Sequence, residues 1–292
     1  MQPSIVYVLY FSPTGTSKKV ADAVAQAIAC PAVNAPDRNA AEPTAAIPVR
    51  TIDLTHSPAP AVTLPHDAVA VFAMPVYGGH VPPTASERMR GLCGEGTPAV
   101  IIAVYGNRAF EGAAAQLAAA TVEQGFVPAA AAAFVGEHSY STPATPIAAG
   151  RPDSQDLADA AAFGAAVRRK LTAGETPAPV DVRHLKGPRT PLLPLLRFIG
   201  FVLGYQRRQK KHPVVYLPRC DADRCTHCGR CAAICPTQAI ARGDEEHTDP
   251  ARCIRCCACV KGCPVGARSF STPFSAVLAR DFARRKPPVT LL

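Results

Sequence analysis

Ten of the twelve cysteines in this chain fall between Cys220 and Cys263, and eight of them repeat one pattern at a fixed offset. Cys225, Cys228, Cys231 and Cys235, followed by Pro236, spell C-x-x-C-x-x-C-x-x-x-C-P. Cys253, Cys256, Cys259 and Cys263, followed by Pro264, spell it again, each cysteine 28 residues after its counterpart. A duplication in such register constrains the segment more than any other feature does, because both repeats must fold into matching loops that present thiolates inward. Three thiolates two residues apart can wrap one corner-sharing cube of iron and sulfide, while a fourth, carried past a longer step by a chain-turning proline, points to a neighbouring cube. Zinc sites tend instead to use two C-x-x-C pairs in one tetrahedral set. A disulfide framework would spread its cysteines along the chain, and here only Cys30 and Cys93 stand outside the block. Two [4Fe-4S] clusters are the expectation, with zinc as the alternative.

The stretch from Cys220 to Phe270 resembles a bacterial-type two-cluster ferredoxin, over both complete motifs. The resemblance implies a small α+β domain with crossed ligation: Cys225, Cys228, Cys231 and Cys263 on one cluster, and Cys253, Cys256, Cys259 and Cys235 on the other. Cys220 and Cys257 are left over and read as spare buried thiols. His227, Arg230 and Arg255 lie between ligands and read as loop residues, although a donor there could raise a cluster's potential.

The rest of the chain is of another kind. Residues 1–175 carry 11 Lys/Arg against 14 Asp/Glu, whereas residues 176–292 carry 20 against 8, so the net charge of +9 resides wholly in the second part. Two different domains are expected. With 292 residues, 48% of them hydrophobic, disorder is excluded as the dominant state. No apolar run is long enough to span a membrane and the first residues lack the pattern of a secretory signal, which points to the cytoplasm.

Residues 1–175 alternate short apolar runs with Ala-rich helical patterns. Ser4 to Phe11 precedes Thr16 to Ala29, Ala68 to Met74 precedes Pro82 to Leu92, Ala99 to Val104 precedes Glu111 to Gln124, and Ala129 to Val135 precedes Ser154 to Leu171. This rhythm predicts a mostly parallel sheet with helices on both faces. A further strand is expected at Val49 to Leu54. It lies between Ala/Pro-rich and aperiodic stretches, with its following helix absent or vestigial.

Directly after the first predicted strand, Ser12, Pro13, Thr14, Gly15, Thr16 and Ser17 run into a helix, so hydroxyls and amides converge where the helix dipole favours an anion. The spacing is neither G-x-x-x-x-G-K nor G-x-G-x-x-G, which disfavours ATP and dinucleotides and suits a phosphate monoester. The hexamer resembles the S/T-x-T-G-x-S/T phosphate loop of flavodoxins, and the resemblance spans about residues 4 to 171. It implies a flavodoxin-like doubly wound α/β fold with a five-stranded parallel sheet, and FMN held at the carboxyl ends of its strands. The loops after the third and fourth strands supply Pro75, Val76, Tyr77, Gly78 and Gly79, and then Tyr105, Gly106, Asn107, Arg108 and Phe110, as candidate flavin contacts. Tyr77 and Tyr105 are the candidates for the ring itself. Glu137 to Tyr140, past the fifth strand, could form part of the rim.

Three segments follow: a flavin domain over 1–174, a linker over 175–213, and the cluster domain with a C-terminal tail over 214–292. Within the linker, Leu192 to Tyr205 is almost wholly apolar and precedes Arg207, Arg208, Lys210 and Lys211. A helix is expected from Pro194, buried between the domains, with a peripheral membrane anchor as the alternative. The composite reads as an electron-transfer protein whose basic second half attracts a redox partner with an acidic docking face. The alternative is an FMN-dependent reductase of a small acceptor such as a quinone or nitro compound. A nucleic-acid-binding redox sensor is disfavoured, because no helix-turn-helix or aromatic-basic platform is visible.

Overall fold

The computed structural model describes residues 2–30, 46–173 and 178–292. Most of the Ala/Pro-rich stretch before the second strand, and the expected domain boundary at 174/175, lie outside the described residues.

The chain opens with β1 (Ile5–Tyr10) and α1 (Thr16–Ala29), followed by β2 (Val49–Asp53) and a short β3 (Val62–Leu64). Next come β4 (Ala68–Pro75), α2 (Pro83–Arg88), β5 (Leu92–Gly94), β6 (Pro98–Tyr105), α3 (Ala113–Glu123), β7 (Val127–Val135) and α4 (Ser154–Thr172). Parallel pairing runs β2-β1-β4-β6-β7. Numbered among themselves these five strands are in the order 2-1-3-4-5, the doubly wound flavodoxin-like order, with its switch point beside β1. Every residue of β4 and β6 is buried, as expected for strands covered on both faces. The run of alanines in β7 is likewise a strand, because burial between two layers overrides alanine's helical preference. Val20, Val24 and Ile28 of α1 and Val167 and Leu171 of α4 cover one face of the sheet. Phe72, Met74, Leu117 and Phe126 belong to the core on the other face, where β3 and β5 form a separate two-stranded sheet that sequence periodicity did not reveal. No helix follows β2, as expected.

The cysteine-rich part consists of α5 (Leu192–Lys211), β8 (Arg219–Cys220), α6 (Arg230–Ala233), α7 (Ala258–Lys261), β9 (Arg268–Ser269) and α8 (Pro273–Asp281). The last strand, β10 (Val289–Leu291), then returns to the first sheet and pairs antiparallel with β7. The sheet therefore has six strands rather than five, and the tail covers an otherwise open edge.

The expectation for the apolar helix is corrected. It starts at Leu192 rather than Pro194, runs through the basic residues, and contains no buried residue. Pro194 is tolerated because the first helical amides have no intrahelical acceptor. One face, with Phe198, Phe201 and Tyr205, packs on α8 and the segment after it, at ring distances of 5.0 Å for Phe201–Phe274 and 5.2 Å for Phe198–Phe282. The leucines point to solvent instead of lying between domains.

Candidate flavin and iron–sulfur site

The loops after β1, β4, β6 and β7 meet at the carboxyl end of the sheet and wall a cleft of about 560 Å³, within the size range of small-molecule and cofactor sites. Gly15 caps α1 in the left-handed conformation, φ +80°, which glycine adopts without strain. Ser12 Oγ accepts from the Lys18 amide at 3.0 Å, and Thr55 Oγ1 accepts from the Ser12 amide at 2.9 Å, so the loop is tied at both ends. Ser17 lines the cleft with a fully buried hydroxyl that has no partner within the protein. An orphaned hydroxyl beside a helix N-terminus fits a phosphate, which would supply the missing acceptor.

Of the sequence candidates, Ser12, Pro13, Thr14, Thr16, Ser17, Pro75, Val76, Tyr77, Gly78, Gly79, Tyr105, Gly106 and Arg108 line this cleft. Gly15 shapes the loop without lining it. Asn107 and Phe110 are placed elsewhere. Asn107 is 1% exposed, and its Nδ2 donates to the carbonyls of Phe282 at 2.6 Å and Arg284 at 2.9 Å, anchoring the C-terminal segment. Phe110 is a core residue whose ring packs against that of Tyr105 at 5.5 Å. Tyr105 is itself 2% exposed and serves as wall rather than as a free stacking platform. Burial pushes its phenol up to about 12. Tyr77 forms a tight turn with His80, each donating its amide to the other's carbonyl, at 2.8 and 3.1 Å. Burial, and then charge at Cys256 and Cys257, holds its phenol well above the ordinary value.

The loop after β7 joins the cleft through Glu137, His138, Ser139 and Tyr140. His138 Nδ1 accepts from the Tyr140 amide at 3.0 Å, and burial, then Lys261 and Arg108, lower its pKa to about 4, so the ring is neutral near pH 7. Gly106 permits this packing, since a Cβ there would lie 2.2 Å from His138 Cδ2. Burial raises the pKa of Glu137. Its hydrogen bonds from Lys261, at 2.6 Å, and from the Gly150 amide outweigh that and hold it below its usual value.

Sequence reasoning missed the walls contributed by the second half of the chain: Phe198 and Val202 from α5, Phe274 and Leu278 from α8, and Ile254 and Arg255 from the second cysteine motif. Only Arg255 carried a signal, as a charged residue between ligands. The others are brought in by packing.

The two cysteine motifs have matching geometry. Asp221 and Asp249 accept at 3.0 Å from the amides of Cys225 and Cys253, while Cys235 and Cys263 accept through sulfur at 3.2 Å from the amides of Ala239 and Ala267. His227 and Arg255 share the left-handed conformation, as do Gly229 and Cys257. Cys257 thus occupies the counterpart of a glycine, as N-cap of α7, and is 1% exposed. One small cavity is lined by Cys225, Cys228, Cys231 and Cys263, and a second by Cys235, Cys253, Cys256 and Cys259 together with Cys257. Four thiols around a void fit a cubane rather than one tetrahedral zinc.

The chain thus joins a doubly wound α/β domain of flavodoxin-like strand order, with a cleft at the carboxyl end of its sheet, to a segment that carries two cysteine motifs around two small cavities. Residues 221–241 and 247–269 match the 4Fe-4S binding domain family. A search of curated proteins gave no match. Among solved structures, the chain is similar to a flavodoxin from the domain Archaea, at 13% identity over 57% of this chain and 97% of that one, TM-score 0.33. It is similar to a Streptococcus pneumoniae TIGR4 flavodoxin at 16% identity, over 57% and 99%, TM-score 0.36. An azoreductase from Bacillus anthracis str. Sterne aligns at 14% identity, over 59% and 100%, TM-score 0.34.

Proposed function

We propose that this protein carries electrons between FMN in the cleft and two [4Fe-4S] clusters in the thiol cavities, and on to a redox partner. Clusters exchange single electrons and a flavin one or two, so a chain holding both couples the two kinds of donor and acceptor. One observation carries the reading: Ile254 and Arg255, enclosed between Cys253 and Cys256, line the flavin cleft. The cavity of the second cysteine set therefore adjoins the flavin site through a single stretch of backbone. The other set is the outer one, and Cys228 is exposed. The net positive charge of residues 176–292 favours an acidic carrier at that end.

The residues supply binding and exclusion of water. Ser17 and the α1 terminus hold the phosphate. A single such loop accounts for FMN rather than a dinucleotide. Neutral His138 and half-buried Tyr77 are uncharged parts of a wall that also carries Arg108 and Arg255. The cytoplasm is the compartment implied, since thiolate ligands must stay reduced. A second reading, reduction of a small apolar acceptor, is favoured by the apolar wall of Phe198, Val202, Phe274 and Leu278 beside the cleft.

The test is anaerobic reduction of the holoprotein followed optically. Equilibration of flavin and clusters at a rate independent of protein concentration is expected, with one FMN and about eight irons per chain. A rate that rises with concentration, or release of FAD, contradicts the reading. Saturable turnover of a quinone would move the protein to the reductase class.

A further inference from the structure

Among the described residues, the most exposed large apolar side chain is Leu192 of α5, and several further exposed ones lie on the same helix. Leu192, Leu196, Ile199 and Leu203 are 44% to 70% exposed and recur at i, i+4, i+7 and i+11. Arg207 and Lys210 continue the series at i+15 and i+18, so leucines and cations share one face of the helix. The opposite face is occupied, by Phe198 and Phe201 against the α8 region. From residue 186 to 211 there are seven Lys/Arg and no Asp or Glu, with Lys186 and Arg189 before the apolar stripe and Arg207, Arg208, Lys210 and Lys211 after it. Val214 and Val215, just beyond, are 52% and 61% exposed.

We infer that this face of α5 docks on the surface of an anionic lipid bilayer. An aliphatic stripe bracketed by cations matches acyl chains flanked by anionic headgroups, and a helix of this kind lies in the interface plane. It does not cross: no helix among the described residues is long and apolar enough to span a membrane. A second copy of the chain fits the face poorly. Parallel pairing would set the cationic turns side by side, and antiparallel pairing would set them over the leucines. A protein partner is matched less well too, since binding hot spots favour Trp, Tyr and Arg over Leu, and the stripe holds no aromatic residue. Phe198 and Val202 belong to the same helix and wall the flavin cleft, so docking would bring the cleft close to the bilayer.

The experiment is sedimentation of the holoprotein with vesicles of phosphatidylcholine plus phosphatidylglycerol, or of phosphatidylcholine alone. Preferential binding to the anionic vesicles, weakening as salt rises, is expected. Leu196→Ser with Leu203→Ser should weaken partitioning roughly tenfold or more, because two buried leucines supply much of the apolar contact. Arg207→Gln with Lys210→Gln should remove most of the preference for anionic lipid. Iron and flavin content should stay at wild-type levels in both variants, since none of the four side chains lines the cleft or a thiol cavity. Absence of binding to anionic vesicles at low salt, or equal binding by the leucine variant, overturns the inference. So does a wild-type dimer in sedimentation that the leucine variant abolishes, or leucine-dependent retention on an acidic carrier protein without vesicle binding.

Discussion

Arg88 donates from Nη2 to the carbonyl of Pro236 at 2.5 Å, joining α2 of the flavodoxin-like domain to the residue directly after Cys235. The same guanidinium donates to the carbonyls of Leu54 and Thr55. A second tie is made by Lys261 of α7, which donates to Glu137 in the loop after β7 at 2.6 Å. The cysteine-rich segment is thus tied to the first domain at two separate points. Arg88→Ala leaves three carbonyls without this donor and should cost about 2 kcal/mol. Thermal unfolding should show the loss, and flavin–cluster equilibration should slow in the same variant. Unchanged kinetics would mean that the seam does not depend on Arg88.

The thiol cavities pair each motif's last cysteine with the other motif's first three. Cys235→Ser should therefore remove the same cluster as Cys256→Ser, and Cys263→Ser the same cluster as Cys228→Ser. Each loses about four irons per chain, with matching residual electron paramagnetic resonance spectra. Cys257→Ser should retain full iron, because Cys257 stands at the position of Gly229 rather than of a ligand.

Ser17 offers a discriminating variant because its hydroxyl is buried and unpartnered. Ser17→Ala should leave the stability of the flavin-free protein unchanged or slightly raised, since it removes an unsatisfied polar group. Affinity for FMN should fall about tenfold or more, the worth of a hydrogen bond to a charged group. Calorimetric titration checks both statements on one preparation.

Asn107 tests whether the tail is structural. Asn107→Ala removes two hydrogen bonds to the C-terminal segment and places alanine at φ +63°, and a loss of about 2 to 3 kcal/mol is expected. Flavin affinity should change far less than in Ser17→Ala.

His138 makes stability depend on pH. Burial lowers its pKa to about 4 in the folded protein, against about 6.5 for a solvent-exposed histidine, so the unfolded chain takes up the proton first as pH falls. Stability is therefore unaffected by this group above about pH 6.5 and declines between 6.5 and 4, by on the order of 3 kcal/mol in full. His138→Asn keeps an acceptor but cannot titrate, and its denaturation midpoint should be flatter over that window.

The amino-acid sequence by itself determined whatever depends on neighbours a few residues away. The spacing of Cys225 to Cys235 and of Cys253 to Cys263 specifies two thiolate-presenting loops, because the reach of each loop is set by its own backbone. The run from Ser12 to Ser17 marks a helix-terminal anion loop. The alternation from Ile5 to Leu171 yields the strands and helices of a doubly wound sheet, and α1 begins at Thr16 and ends at Ala29 as the pattern indicates. Tertiary packing decided the rest. Ile254 and Arg255 reach the cleft at the carboxyl end of the sheet, Asn107 turns from it to hold Phe282 and Arg284, Val289–Leu291 closes the edge of β7, and the leucines of α5 face outward. Each of the first three pairs residues distant in sequence. They meet only because two separately patterned modules share a seam, and no local period encodes which faces of two modules will meet.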